Sequence, residues 1–211
     1  LSSKIKVLVA MSGGVDSSVT AALLVSQGYD VTGAFMVNYE EDANKQTHAN
    51  TKCWTGDYQD GLRVAATLGI PLLRLDFRKE YKQKVLDYIY DEYRQSRTPN
   101  PDVLCNKFVK FGFWLDKAKE LGFNKLATGH YAKLSQKSIK SKVHKVELLQ
   151  AKDENKDQTY FLHQLTQQQL QYTLFPLGNY TKPEVRKLAK KFNLPNADKE
   201  ESMGICFVGE V

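Results

Sequence analysis

A short apolar run that ends in a pair of glycines, close to the N-terminus, constrains the fold of this chain more than any other feature. Residues 4–10 read KIKVLVA, which is typical of a buried strand, and SGGVDSS follows at residues 12–18. A helix is predicted over about residues 17–27. Glycine amides and a helix N-terminus at one turn can bind an anion such as a phosphate. On this hypothesis a branched side chain at Gly14 should block the turn; the alternative is an ordinary glycine-rich turn capped by serine.

Further strands and helices alternate along the chain. Apolar runs predict strands at residues 31–37, 72–77 and 125–128, and helical periodicity predicts helices at residues 57–68 and 81–97 and from about Asn106. This alternation requires crossover connections, so we expect an α/β fold with a mostly parallel open sheet and helices on both faces. Such sheets bind ligands beyond the carboxyl ends of their strands.

The pattern changes in the last part of the chain. A lysine-rich hairpin is predicted over residues 132–152, and short helices follow it. Thr166 with Gln169, and Thr181 with Glu184, match the capping box, which satisfies free backbone donors at a helix start. We therefore expect a small helical and hairpin extension after the sheet.

Composition limits the classes of protein to which this chain can belong. The chain has 211 residues, a formal net charge of +6 and three cysteines. The cysteines are too scattered for a disulfide framework and lack the C-x-x-C spacing of a structural zinc site. No apolar run approaches the roughly 20 residues of a membrane span, and the N-terminus lacks a signal-peptide pattern. We expect a soluble protein in a reducing compartment, with no membrane contact and no metal site of its own; its charge suits a polyanionic partner.

Two of the cysteines lie in stretches that suggest reactivity. Cys105 ends the run RTPNPDVLC, in which two prolines stiffen the approach to a predicted helix. A cysteine next to a helix start has a lowered thiol pKa and exposes a nucleophilic thiolate, and Asp102 is close enough to exchange a proton with a substrate. Cys206 lies in the apolar run GICF near the chain end. Taken alone, each cysteine fits a buried structural role better.

Six motifs in a fixed order give the chain a resemblance to a known family. SGGVDSS resembles the pyrophosphate-binding loop (PP-loop) of the N-type ATP pyrophosphatases, which transfer AMP to an oxygen and release pyrophosphate. Together with TPNPDVLCN, ATGHYA, KDQTYFL, FPLG with TKPEVR, and ESMGICFVGE, it closely resembles the tRNA-specific 2-thiouridylases (the MnmA/TrmU family) over essentially the whole chain. The resemblance implies an adenine nucleotide alpha hydrolase-like fold. It also implies a PP-loop nucleotide-binding catalytic domain over residues 1–165 and a helical extension with Cys206 over residues 166–211.

The resemblance also implies functional residues. Cys105 matches the nucleophile, Cys206 the cysteine that carries persulfide sulfur, and Asp102 the acid/base. The positions that match the ATP-binding residues are Ala10, Met11, Ser12, Gly13, Gly14, Val15, Asp16, Ser17, Met36 and Gly129. The positions that match tRNA-binding residues are Asn100, Pro101 and Asp102 at the target base, and Lys156, Asp157 and Gln158 elsewhere on the tRNA. Cys53 matches no catalytic position.

The activity implied is a sulfurtransferase reaction. ATP with Mg²⁺ would adenylate the C2 oxygen of the wobble uridine in tRNAs for Lys, Glu and Gln, and a persulfide sulfur-donor protein would supply the sulfur. Two alternative functions remain. One is a small-molecule amidating ligase with the same ATP loop, and the other is a nucleotide-binding or tRNA-binding module with no catalytic activity.

The sequence departs from the family in two places. Ser202-Met203-Gly204 stands where many bacterial members have Ser-Gln-Gly or Ser-Thr-Gly, and this form also resembles mitochondrial members. The expected compartment is the cytoplasm, with the mitochondrial matrix as the alternative. The chain stops five residues after Cys206, before the β-rich C-terminal domains of the family, so we expect a fragment.

Overall fold

The structure is a computed structural model that describes residues 4–38, 53–138 and 144–201. For residues 53, 54, 137, 138 and 144 it describes the backbone alone. The predicted site residue Cys206 lies outside the described residues. Lys140 and Lys142 of the lysine-rich hairpin predicted over residues 132–152 also lie outside them.

The described residues form a five-stranded parallel sheet and a separate two-stranded hairpin. The strands are β1 (Lys6–Ala10), β2 (Asp30–Val37), β3 (Leu72–Asp76), β4 (Lys125–Ala127), β5 (Lys133–Ser138), β6 (His144–Leu149) and β7 (Thr173–Leu174). The sheet has the order β3-β2-β1-β4-β7, and β5 pairs antiparallel with β6. Strand β1 therefore lies at the centre, where β2 pairs with one of its edges and β4 with the other. The predicted α/β fold is confirmed.

Helices connect the strands. They are α1 (Val15–Ser26), α2 (Cys53–Leu68), α3 (Arg78–Tyr81), α4 (Asp87–Arg94), α5 (Pro101–Leu104), α6 (Trp114–Glu120), α7 (Gln167–Tyr172) and α8 (Lys182–Lys191). A π-helical stretch at Lys82–Leu86 joins α3 to α4, and another at Cys105–Phe113 joins α5 to α6. The predicted start near Asn106 is wrong, because the Asn100 side chain caps a helix that already begins at Pro101.

Each face of the sheet carries its own apolar core. On one face α1 and α8 pack together through buried residues that include Val19, Leu23, Val185 and Ala189. On the other face the two π-helical stretches supply Val85, Val109 and Phe111, together with Cys105. The carboxyl ends of β1, β2 and β4 lie between these layers, at the edge where parallel sheets bind ligands.

The C-terminal part joins the same core. Both predicted capping boxes are present, at Thr166 with Gln169 and at Thr181 with Glu184. Strand β7, which the sequence did not predict, pairs with β4 at the sheet edge. The division at residue 165 remains a prediction, although residues on both sides of it contribute to one sheet. Within the described residues, every helix is too short or too polar to cross a membrane.

Candidate nucleotide-binding site

The glycine loop between β1 and α1 has the shape of an anion-binding turn. The Met11 amide donates to the Ala34 carbonyl at 2.8 Å, which continues the pairing of β1 with β2 past the end of the strand. Gly13 then adopts φ +77°, and a Cβ at this position would lie 2.2 Å from the Asp57 carbonyl oxygen. Gly14 is the N-cap residue of α1, with φ −83°. The turn therefore needs glycine at 13, and the first amides of α1 face the loop.

Serine hydroxyls hold the loop in place. Ser17 Oγ accepts from the Ser12 amide at 3.2 Å and donates to the Gly14 carbonyl at 3.0 Å. Ser18 Oγ donates to the same carbonyl at 2.9 Å. These bonds fix the loop conformation before any ligand arrives, which lowers the ordering cost of binding.

Met36 and Gly129 flank the loop, as the sequence predicts. Gly129 follows β4, and a Cβ there would come within 3.0 Å of the Asp16 carbonyl carbon and the Ser17 nitrogen. Met36 lies near the end of β2, two residues beyond Ala34, which is paired with the last residue of β1. The structure thus brings the predicted ATP-binding residues together at the ends of three adjacent strands.

Asp16 is the charged residue at the centre of this site. Its two carboxylate oxygens each accept from Lys182 Nζ at 2.8 Å, and one also accepts from the Tyr131 hydroxyl at 2.9 Å. Burial, and then the Asp16 charge, raises the pKa of Tyr131, so its hydroxyl stays protonated as a donor. Asp16 does not cap α1, because Gly14 is the N-cap residue and no side chain caps it.

Residues near the end of the described chain lie against the loop, and no motif in the sequence predicts this contact. The Asn196 amide donates to the Gly13 carbonyl and to Ser18 Oγ, both at 2.9 Å. Lys199 Nζ lies 2.6 Å from Asp57 and 2.6 Å from Asp60. Glu201 lies 3.1 Å from Lys182 Nζ. Segment 196–201 therefore connects α8, α2 and the loop.

The predicted tRNA-binding stretch Lys156, Asp157 and Gln158 makes internal contacts. Lys156 pairs with Glu201 at 2.6 Å, and this hydrogen bond raises the pKa of Lys156. Asp157 accepts from the Ala151 amide at 2.8 Å. The Gln158 side-chain oxygen accepts from the Tyr131 backbone amide at 3.1 Å, and the Gln158 backbone amide donates to the Tyr131 carbonyl. Gln158 thereby orients the tyrosine that hydrogen-bonds to Asp16.

Cys105 lies one turn inside a helix. Asn100 accepts from the amides of Asp102 and Val103, at 3.1 and 3.3 Å, and Pro101 takes the first helical position. Asn100 and Asp102 are exposed, whereas Cys105 is only 9% exposed within the apolar core. The expectation of an exposed thiolate at the helix start is therefore wrong for this conformation, because the helix begins four residues earlier.

His130 follows Gly129 and is buried between two phenylalanines. Its Nδ1 lies 2.7 Å from Thr128 Oγ1, and its ring lies 5.8 Å from that of Phe111 and 6.0 Å from that of Phe175. Burial, and then the charge of Lys110, holds the pKa of His130 well below its ordinary value. The imidazole is therefore neutral at pH 7.

Comparison with known proteins identifies the family. The family model described as "tRNA methyl transferase HUP domain" matches residues 5–210. The chain is 50% identical over 209 residues to the tRNA-specific 2-thiouridylase of Levilactobacillus brevis, covering 99% of this chain and 53% of that protein. It is 51% identical over 208 residues to that of Listeria monocytogenes, covering 99% and 54%. The chain thus spans about half the length of the curated relatives it matches.

Solved structures share the fold at low sequence identity. A 4-thiouridine synthetase in complex with RNA and ATP has a TM-score of 0.57 at 15% identity, over 93% of this chain and 42% of that one. The NMN synthetase of Francisella tularensis has a TM-score of 0.53 at 17% identity, over 95% and 67%. The chain belongs to the family described as the tRNA methyl transferase HUP domain, and curated relatives about 50% identical to it carry the name tRNA-specific 2-thiouridylase.

Proposed function

We propose that this chain is the nucleotide-binding part of a tRNA sulfurtransferase, which uses ATP to place sulfur on C2 of the wobble uridine. The observation that carries the proposal is the loop from Ser12 to Ser17, in which Gly13 turns the backbone and α1 presents its N-terminal amides. The relatives' name supports tRNA as the substrate. The ATP and RNA bound to the 4-thiouridine synthetase of the same fold agree with both ligands.

ATP binds with its phosphates at the loop. The amides at the start of α1, with the positive end of the helix dipole, face an anion there, and the serine bonds keep them in position. The adenine lies towards Met36 and Gly129, on the strands that flank β1. A side chain at 129 would press on the Asp16 backbone and displace the loop.

Asp16 offers a carboxylate for a magnesium ion beside the loop. Among the described residues there is no group of three or more metal-ligating side chains. Mg²⁺ commonly binds through one or two carboxylates and substrate phosphates and keeps several waters, so the Asp16 carboxylate fits this role. The ion would neutralise phosphate charge as pyrophosphate leaves.

The sulfur chemistry uses two cysteines. The C2 oxygen of the uridine attacks the α-phosphorus of ATP, and pyrophosphate leaves. The terminal sulfur of a persulfide on Cys206 then attacks C2, and AMP leaves with the oxygen. The Cys105 thiolate attacks the sulfur atom of Cys206, so that 2-thiouridine is released and a Cys105–Cys206 disulfide forms. A dithiol reductant reopens the disulfide, and a persulfide donor protein reloads Cys206.

The helix start beside Cys105 is the place for the target base. Asn100 and Asp102 are exposed there, and Asp102 lies three residues before the thiol, on the same side of the helix. A wobble base that leaves the anticodon stack can meet these groups, and Asp102 can take or give a proton. The wobble-uridine tRNAs for Lys, Glu and Gln are the proposed substrates, and Lys156 to Gln158 are a second contact.

Release of AMP and pyrophosphate tests this function. The full-length protein is mixed with labelled ATP, Mg²⁺, a persulfide donor and a dithiol reductant. Unmodified tRNA with uridine at the wobble position is added, or the same tRNA carrying cytidine there. We expect release of both products only with uridine. Release that depends instead on ammonia and a small acid, with no effect of tRNA, would identify an amidating ligase and overturn the proposal.

A further inference from the structure

Lys182 holds a positive charge beside the phosphate loop. It is the first residue of α8, and its side chain is only 12% exposed. Its Nζ lies 2.8 Å from each oxygen of Asp16 and 3.1 Å from Glu201. An ammonium group has three donors, and here carboxylates on two different segments accept them. Asp16 is in the first turn of α1, where an anion is attracted.

The contacts around Lys182 allow its side chain to move while its backbone stays fixed. The Lys182 amide donates to the buried Asp153 carboxylate at 2.7 Å, so the main chain is held. If the ammonium turns away, Glu201 keeps Lys156 at 2.6 Å and Asp16 keeps the hydroxyl of Tyr131. Neither carboxylate is then left without a partner, which limits the cost of the movement.

A second buried polar side chain lies against the loop. Asn196 is 5% exposed, and its amide nitrogen donates to the Gly13 carbonyl and to Ser18 Oγ. Its Oδ1 is buried and has no hydrogen-bond partner within the described residues. These bonds to the loop fix the orientation of the amide and leave its oxygen as an acceptor for a donor that the described residues do not supply.

We propose that Lys182 is a phosphate-binding residue of the nucleotide site, whose ammonium leaves Glu201 for an oxygen of the pyrophosphate moiety when a nucleoside triphosphate binds. The inference rests on the proposed ATP site at the loop. Since phosphate offers a charge-assisted hydrogen bond to a cation already in position, Lys182 adds affinity for the phosphates and none for the base. Glu201 competes with the phosphate, so it weakens binding.

Titration calorimetry with pyrophosphate and with ATP, both with Mg²⁺, tests the inference. The variants are Lys182→Met, Glu201→Gln, Gly13→Ala and, as a matched control on an exposed position of the same helix, Lys187→Met. We expect Lys182→Met to weaken both ligands by roughly tenfold or more. Glu201→Gln should bind both ligands severalfold more tightly, and Lys187→Met should match the wild type.

A purely structural ion pair gives a different result. In that case Lys182→Met and Glu201→Gln both lower the melting temperature, and Glu201→Gln does not bind phosphate more tightly, which overturns the inference. Affinities of Lys182→Met within about twofold of the wild type, with binding lost in Gly13→Ala, overturn it and leave the proposed ATP site standing. Unchanged ATP binding in Gly13→Ala, in a folded protein, overturns both.

Discussion

At the scale of single residues, the two glycines of the phosphate loop have different roles. The sequence favours Gly14 as the position where a side chain blocks the turn. In the structure Gly14 has an ordinary φ of −83°, and a Cβ there would meet only Ser12 Oγ, at 3.4 Å. Gly13 has the left-handed φ of +77° and lies against the Asp57 backbone. The constraint on the turn therefore lies at Gly13.

We predict that Gly13→Ala abolishes nucleotide binding and that Gly14→Ala does not. An alanine at 13 adds about 1–2 kcal/mol of left-handed backbone strain and pushes its Cβ into the Asp57 carbonyl, so the loop must shift. ATP affinity by calorimetry should fall by at least about tenfold for Gly13→Ala and by no more than a few fold for Gly14→Ala. Equal losses in the two variants would show that the turn needs glycine at both positions.

The two cysteines are predicted to have unequal functions. Adenylation needs only the loop and a positioned uridine, so neither thiol is required for pyrophosphate release. Cys105→Ser should accumulate a persulfide on Cys206 and form no thiouridine, because nothing resolves the S–S bond. Mass spectrometry of peptides after incubation with a sulfur donor measures this, with Cys53→Ser as the control that changes little. Sulfur found on the Cys105 peptide, with Cys206 untouched, would reverse the assignment.

At the scale of elements, local chemistry was predictable and the packing of short segments was not. Both capping boxes could be predicted because their partners are three residues apart, and the first four strands because each contains at least two consecutive apolar residues. Strand β7 is two residues long and has no period, so only its pairing with β4 defines it. The helix before Cys105 begins earlier than apolar periodicity predicts, because the Asn100 side chain caps it at Pro101.

The capping box of α8 predicts a pH dependence of stability. The hydrogen bond from Lys152, followed by the Thr181 amide, lowers the pKa of Glu184 from 4.5 to about 2. A depressed carboxylate pKa gives stability that is fully present above the unfolded value of about 4.5 and is lost as the pH falls through about 2. In urea unfolding at pH 7, 5, 4 and 3, Glu184→Gln should be less stable than the wild type by a margin that shrinks on acidification.

Two comparisons make this test specific. Glu154→Gln removes an exposed acid outside any helix and should change stability little at each pH. Thr181→Ala removes the other half of the box and should cost about 1 kcal/mol. A margin for Glu184→Gln that grows as the pH falls would contradict the predicted direction.

At the scale of the whole molecule, the candidate site is built from residues far apart in sequence. The loop itself could be predicted, since residues 12–18 carry its chemistry together. The residues that contact the loop could not be predicted, because they are far from it in sequence. Tyr131 and Lys182 are 115 and 166 positions from Asp16, and Asn196 is 183 positions from Gly13. The packing of α8 on α1 brings Lys182 and Asn196 to the loop, and the pairing of β4 with β1 brings Tyr131 there. The sequence predicts a capped helix at Thr181, but it does not predict that the Lys182 ammonium lies at Asp16.

The last prediction concerns the ion pairs that join segment 196–201 to α2. Lys199 is 27% exposed and lies 2.6 Å from both Asp57 and Asp60 of α2, whereas Lys190 and Asp198 form a pair that is 63% and 83% exposed. Lys199→Met leaves two carboxylates close together beside the Gly13 carbonyl, so we expect a loss of about 1–2 kcal/mol in the free energy of unfolding. Lys190→Met should cost less than about 0.5 kcal/mol, because an exposed pair is screened by solvent. Urea unfolding of the two variants at low and high salt measures both values. Equal losses would mean that Lys199 adds no more than a surface pair, and that segment 196–201 is held on the loop by Asn196 and the apolar contacts of Ala197.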